Sequence, residues 1–423
     1  MKKTAIIIGI LLILIFGSIW TLYTVRQHNT DQQYVSKSST SILSIAVDDL
    51  ILDNLWYLSS RSSKSAEIES DSEQIKSFIF DAGIPLPARI YLFGLPAQDG
   101  QFYGILALNN FVKCFSFFAS HYPDKINFID KQKSIVSVNL NARLKVIFND
   151  EYLIYQIGLD EQEGFSNLQT LLMNPENWSQ IGTLEGFGHL KSKKHLSYVQ
   201  KYDEFVLEAT VGKNRTILNG TWRLKQELGN EVIVRDIDTL RQTLTFWSIL
   251  PLQETPILAY LMQKYTGLDR QQLDSNYGNY FDLQVKSDSV VQNDSSIIYT
   301  YDDEFNALEE LQVQQHNVPN IVHAWKCKEV LQASLPDKMF YRFHKEDRGT
   351  YFVNSTLDSL TTSVSSKETP FPFYCFVDFQ TWPGQWDISL FKTLKAHNLK
   401  ARIITQKKNK RTLSIKGEIL YGQ

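Results

Sequence analysis

Apolar residues follow two different periods along this chain, and turn residues mark where one period gives way to the other. Residues 88–95 (ARIYLFGL) and 101–108 (QFYGILAL) flank PAQDG, a Pro- and Gly-bearing turn, and predict a hairpin. Three further strands are expected between 134 and 158 in SIVSVNL, ARLKVIF and YLIYQIG, with NDE forming the last turn. The same reading pairs EFVLEATV with RTILNGTWRL around GKN, MFYRFH with TYFVNS around KEDRG, and KARIITQ with RTLSIKGEIL around KKNK. Helical spacing appears at 111–122, 239–250, 256–267, 304–315 and 386–398. Strands come in hairpins rather than alternating singly with helices. The predicted class is therefore α+β with antiparallel sheets.

The N-terminus carries a different pattern. MKK precedes a run with no charge from residue 5 to residue 22. As a helix such a run rises about 27 Å, close to the hydrocarbon thickness of a bilayer. Bulky residues at Phe16, Ile19, Trp20, Leu22 and Tyr23 spoil the registers a signal peptidase needs, and Trp20 and Tyr23 suit a membrane interface. The expectation is an uncleaved transmembrane signal anchor over 1–25, contacting the membrane through residues 5–23. Lys2 and Lys3 hold the N-terminus in the cytoplasm, so the inner membrane is the predicted location, with the bulk of the chain extracytoplasmic. Residues 26–41 are polar and aperiodic and read as a tether. Two α+β units are expected to follow, over 42–190 and 191–423. A helix stopped by Gly83 or Gly267, followed by strands ending in a polar pair, occurs in each half.

Those polar pairs raise the main chemical question. SIAVDDLI, LALNNFV and YTYDDEF each end a strand pattern, carry two Asp or Asn, and enter an apolar run. Asp48/Asp49 and Asp302/Asp303 could form carboxylate sites, but Asn109/Asn110 could not do acid–base work in their place. Capping needs only a short side-chain oxygen, so all three pairs are expected to be helix caps.

Composition narrows the rest. The chain of 423 residues is 43% hydrophobic and 13% aromatic, with a formal charge of −3, so nothing global points to a nucleic-acid partner. Its three cysteines, Cys114, Cys327 and Cys375, cannot build a disulfide framework. The histidine pairs His189/His195 and His316/His323 lack metal-ligand spacing, and no phosphate loop or GxSxG elbow occurs. No catalytic, metal or cofactor residues are assigned, and no cofactor is expected. A Ser or Cys nucleophile with distant partners stays open, because a spatial triad leaves no trace in one sequence. From Lys392 to Lys416 there are nine Lys or Arg and no acid. Lys407, Lys408, Lys410 and Arg411 at the hairpin tip are the candidate contact for anionic lipid or an acidic envelope partner, against the alternative of a solvated turn.

The stretches SIAVDDL, AGIPLPARIYLFG and GILALNNF, with a weaker echo in TGLDRQQL and IIYTYDDEF, together resemble uncharacterised envelope proteins of Bacteroidota. The resemblance spans residues 42–310 loosely and brings no catalytic residues. Many such proteins look like cleaved lipoproteins. Here no Cys follows the apolar run, which excludes a lipid anchor. The functional expectation is a non-enzymatic, membrane-anchored binding or scaffold protein of the cell envelope. The alternatives are an envelope hydrolase with an unseen Ser/His/Asp site and a carrier of a hydrophobic ligand.

Overall fold

A computed structural model describes residues 23–60, 82–98, 100–130, 132, 134–158, 164–192, 194–237, 242–301, 307–337, 341–358, 365–386 and 389–422. The chain divides into two units, Met1–Lys213 and Asn214–Gln423.

In the first unit, residues 23–30 are helical (α1) and lead into β1 (Tyr34–Ser36), β2 (Ser41–Ala46), α2 (Val47–Ser60), β3 (Arg89–Gly94) and β4 (Gln101–Ala107). Then come α3 (Phe111–His121), β5 (Ile126–Asp130), β6 (Ile135–Asn141), β7 (Leu144–Phe148), β8 (Tyr152–Gly158) and α4 (Ser166–Met173). The unit ends with β9 (Trp178–Gln180), β10 (Leu196–Gln200) and β11 (Phe205–Val211). All pairings are antiparallel, and the sheet runs β5-β6-β7-β8-β4-β3-β2-β10-β11, with β1 and β9 paired apart from it.

Both faces of this sheet are covered, because successive side chains alternate sides. In β7 and β8, Val146, Phe148 and Leu153 join α3 residues Cys114, Phe117 and Phe118 in one core. Their neighbours Ile147 and Ile154 pack with α4 residues Leu168, Leu171 and Leu172 in the other. The Asn110 side chain caps α3, its Oδ1 accepting the Lys113 N–H at 2.9 Å.

The second unit comprises β12 (Arg215–Arg223), β13 (Ile233–Arg235), β14 (Gln242–Ser248), α5 (Pro256–Thr266), α6 (Arg270–Asn276), β15 (Tyr277–Tyr301) and β16 (Ala307–Cys327). It continues with α7 (Glu329–Ser334), β17 (His344–Asp347), β18 (Phe352–Ser355), β19 (Ser366–Glu368), β20 (Phe373–Asp378), α8 (Ser389–Ala396), β21 (Lys400–Asn409) and β22 (Thr412–Leu420). Its antiparallel sheet runs β12-β22-β21-β20-β14-β15-β16-β18-β17, and β13 pairs with β19. Gly267 ends α5 at φ 72°, a left-handed conformation that glycine adopts without strain. Asp269 then opens α6 with a capping box to Gln272. The core contains a buried ion pair. Arg235 donates to both Asp282 oxygens, at 2.9 and 2.5 Å, and the Tyr280 hydroxyl adds a third bond to Asp282 at 2.6 Å.

Several expectations are corrected. The protein is mostly β rather than α+β. Residues 239–250 and 304–315 were expected as helices, but 242–248 is β14 and 307–315 lies in β16. In TLTFWS the β-branched and aromatic residues favour the pleated sheet, and burial there alternates along the strand. The tether is also structured: β1 pairs with β9, and Val35 and Ser39 are buried. Strands β10 and β11, assigned by the sequence to the second unit, sit in the first, where β10 pairs with β2.

No helix among the described residues is long and apolar enough to cross a membrane. The apolar run 5–22 lies outside the described residues. Its exit does not: the Tyr23 hydroxyl, expected at a membrane interface, donates to Asp49 at 2.7 Å. The single-pass, signal-anchored, inner-membrane description is corrected accordingly, to a mostly β chain in which no described helix is an anchor.

Candidate functional site

Asp48 and Asp49 lie in the first turn of α2, which begins one residue earlier at Val47. A side chain inside the helix cannot serve as its N-cap, so the capping role is corrected here. Both carboxylates still favour the positive end of the helix dipole. Their bonds, however, reach across the unit. Arg26 grips Asp48 with two bonds of 2.8 Å. Asp49 accepts the Tyr23 hydroxyl and lies 3.6 Å from Arg89, a buried guanidinium that also donates to Ser44 Oγ at 3.2 Å. The bond to Asp49, helped by burial, pushes the Tyr23 phenol up to about 12. Asp302 and Asp303 lie outside the described residues.

Of these groups Tyr23, Asp49 and Arg89 edge a cleft of about 1050 Å³. One part of its wall is apolar, formed by Tyr91, Ile181, Leu184, Phe187 and Leu190. The charged part holds Asp31, Asp49, Asp53 and Arg89. Arg89 is spent on Asp49, whereas neither Asp31 nor Asp53 has a Lys or Arg partner among the described residues. Three carboxylates against one guanidinium leave a net negative lining.

Three histidines lie against carboxylates, His344 at 2.7 Å from Asp358, His189 at 3.1 Å from Asp203 and His195 beside Asp53, and the ring protons can be placed at His195 and His121. His195 Nε2 lies 2.9 Å from Asp53, but its Nδ1 accepts the Val211 N–H at 2.8 Å. The single ring proton therefore sits on Nε2 and points at Asp53, which leaves no free nitrogen to act as a base. His121 Nδ1 lies 3.0 Å from Ser120 Oγ, yet also 2.9 Å from the Phe117 carbonyl oxygen. That oxygen can only accept, so Nδ1 carries the proton and cannot take one from Ser120. His323 is buried between Trp325 Nε1, which donates to its Nδ1 at 2.7 Å, and the Tyr265 hydroxyl at 3.1 Å. Burial pushes its pKa down to about 3. Burial also pushes the thiols up, Cys114 and Cys327 to about 12 and Cys375 to about 11, away from the reactive thiolate. Among the described residues no group of three or more His, Cys, Asp or Glu could hold a metal ion.

The basic hairpin tip is partly satisfied within its own unit. Lys407 Nζ donates to the carbonyls of Leu228 and Gly229, and Lys410 and Arg411 approach Glu227 at 3.9 and 3.4 Å. The Lys408 side chain makes no hydrogen bond or ion pair among the described residues.

Sequence reasoning found Asp48 and Asp49 but missed Arg26, Arg89, Asp53 and Tyr91. One signal was available for Arg89: a charged residue in a strand whose other positions are almost all apolar.

No protein-family model matches the chain, and no curated protein matches it. Two chains of solved structures align with it. Crystal form IV of TP0453 is 12% identical with a TM-score of 0.27, covering 44% of this chain and 77% of that one. Crystal form III is 8% identical with a TM-score of 0.25, covering 76% and 90%. Likeness at this level carries no argument about fold or function.

Proposed function

We propose that the protein is a non-enzymatic binding module whose first unit holds, in its cleft, a ligand with an apolar body and a positive charge. The observation that carries this reading is the union of an apolar wall with Asp31 and Asp53, two carboxylates without a strong basic partner. Pockets of this size, mostly apolar with a few polar groups, suit small amphiphilic ligands. The placement of the ring protons at His195 and His121 and the raised thiol pKa values weigh against a hydrolase built on those groups.

The test is calorimetric titration of the full chain with decyltrimethylammonium below its micelle concentration, and separately with decanoate. The cationic probe is expected to bind and decanoate to bind far more weakly. Asp53 is 67% exposed, so its attraction is water-like, about 1 kcal/mol at 4 Å. Asp53→Asn should then weaken the cationic probe roughly fivefold. Equal binding of both probes, or of neither, overturns the reading.

A further inference from the structure

Strands β15 and β16 run on past the sheet that anchors them. The pairing of β15 with β14 stops at Lys286, and that of β16 with β18 reaches only Val322. From Ser289↔Pro319 to Tyr301↔Ala307 the two strands pair with each other as a ribbon, roughly 40 Å long at about 3.3 Å per residue. Directly opposed residues share a face, so the register settles which side chains stand together. Ile297 faces Leu311, Ser295 faces Val313, Tyr299 faces Glu309 and Val291 faces Asn317. Val291, Ile297, Tyr299, Leu311 and Val313 therefore lie on one side of the ribbon, each between 54% and 64% exposed.

The other side carries Gln292, Asp294, Gln312, Gln314 and His316, with Ile298 apolar further out and the pair Val290 and Val318 at the base, where Val318 is buried. Near the base this polar side grips the body of the unit. Gln292 donates to the carbonyls of Arg342 and Thr356 and accepts the Arg342 N–H. With its polar side anchored, the ribbon turns its apolar side outward. A row of large apolar side chains on an exposed face marks an interaction surface.

Charge identifies the occupant. Residues 287–325 contain seven acids (Asp288, Asp294, Asp302, Asp303, Glu304, Glu309 and Glu310) and no Lys or Arg. The whole chain carries −3, so the remainder carries +4 (−3 minus −7). A second copy is a poor occupant, because it would set two acidic segments, each without Lys or Arg, against one another. The chain's own basic strands are a poor occupant too. Lys400 is held by Asp378, Arg402 lies over Tyr374, and Lys410 and Arg411 adjoin Glu227. A membrane surface fits no better, since anionic headgroups repel such a segment.

We propose that this ribbon docks a protein partner through an extended segment that alternates basic and apolar side chains. The apolar residues cover Val291, Ile297, Tyr299, Leu311 and Val313, and the basic ones meet the carboxylates. Between 295 and 301, β15 pairs only with β16 among the described residues, so its outer edge can accept main-chain bonds from an added strand. This surface is independent of the cleft in the first unit.

The experiment is fluorescence anisotropy of the full chain with labelled nine-residue peptides, one alternating Leu and Lys and one alternating Leu and Glu. Ile297→Ser/Leu311→Ser is the test variant, its fold checked by circular dichroism, and Asp53→Asn is the control for the cleft. The Leu/Lys peptide should bind at least tenfold more tightly than the Leu/Glu peptide. The double variant should lose at least tenfold, 0.5 M salt should lose a similar factor, and Asp53→Asn should change nothing. Equal binding of both peptides overturns the proposal, as does undiminished binding to the double variant. Two other results would replace it: binding to phosphatidylcholine vesicles without peptide binding, which makes the surface a lipid contact, and peptide-free dimers in sedimentation that the double variant abolishes, which make it a self-contact.

Discussion

Replacing Asp282 by Ala removes the counterion of a guanidinium that has nowhere else to go. Arg235 is 2% exposed and Asp282 fully buried, and three bonds converge on the carboxylate. Burial lowers the Arg235 pKa, and the charge and hydrogen bonds of Asp282 together more than offset it. Without Asp282 only the lowering remains, but a guanidinium starts so far above neutral that it stays charged. An uncompensated buried charge costs about 3–5 kcal/mol. Losing the acceptor of the Tyr280 hydroxyl adds about 1 kcal/mol. The sum is about 4–6 kcal/mol, or three to four decades in the opening constant at about 1.4 kcal/mol per decade. Removing both charges, in Arg235→Met/Asp282→Leu, leaves only the Tyr280 hydroxyl without its acceptor, so the expected cost falls to about 1–2 kcal/mol. Hydrogen exchange followed by mass spectrometry reads this directly from peptides of β14 and β15, with peptides of β6 and β7 as internal reference. The reasoning fails if Asp282→Ala costs under about 1 kcal/mol, or if the double variant is no more stable than the single one.

His323 supplies a pH signature. Its folded pKa of about 3 lies below the unfolded value near 6.5, so the unfolded chain binds the extra proton between them and stability falls as pH drops through that window. The loss should reach about 2 kcal/mol at pH 5, and His323→Gln should flatten it; urea midpoints at pH 7 and 5 that do not differ would refute the assignment. At Gly104 an added Cβ would stand 2.2 Å from the Tyr155 ring, so Gly104→Ala should cost about 1–3 kcal/mol of thermal stability, partly restored by Tyr155→Leu. Asp49→Asn preserves any capping capacity but removes the charge beside buried Arg89. It should cost about 1–2 kcal/mol and return the Tyr23 phenol from about 12 toward 10 in an ultraviolet titration, whereas a capping role predicts neither change.

Local signals were legible and long-range ones were not. The hairpins β3/β4 and β21/β22, the Asn110 cap and the Gly267 helix stop depend on residues within a few positions of each other, where periodicity and turn chemistry act. Residues 304–315 misled because Leu308 and Leu311 fit helical spacing, while the partner strand that settles the matter, SSIIYTY, lies across the turn. The unit boundary depends on β10 pairing with β2, some 150 residues earlier, which no local window contains. The cleft was hidden for the same reason. Asp48 and Asp49 looked like caps because their true partners, Tyr23, Arg26 and Arg89, sit 22 to 40 residues away, and His195 meets Asp53 across 142.

Strand β12 pairs along its whole length with β22, from Arg215↔Leu420 to Arg223↔Thr412. In a growing polypeptide these partners appear at different times. About 190 residues separate them, and at roughly 5–20 residues per second a ribosome needs on the order of 10–40 s to bridge that gap. Throughout that interval β12 lacks this neighbour, while the pairings of the first unit, all drawn from residues already made, can form. The second half of the protein is thus a late closer, and its newborn β12 edge is where a chaperone, or a misplaced strand from another nascent chain, has its opportunity.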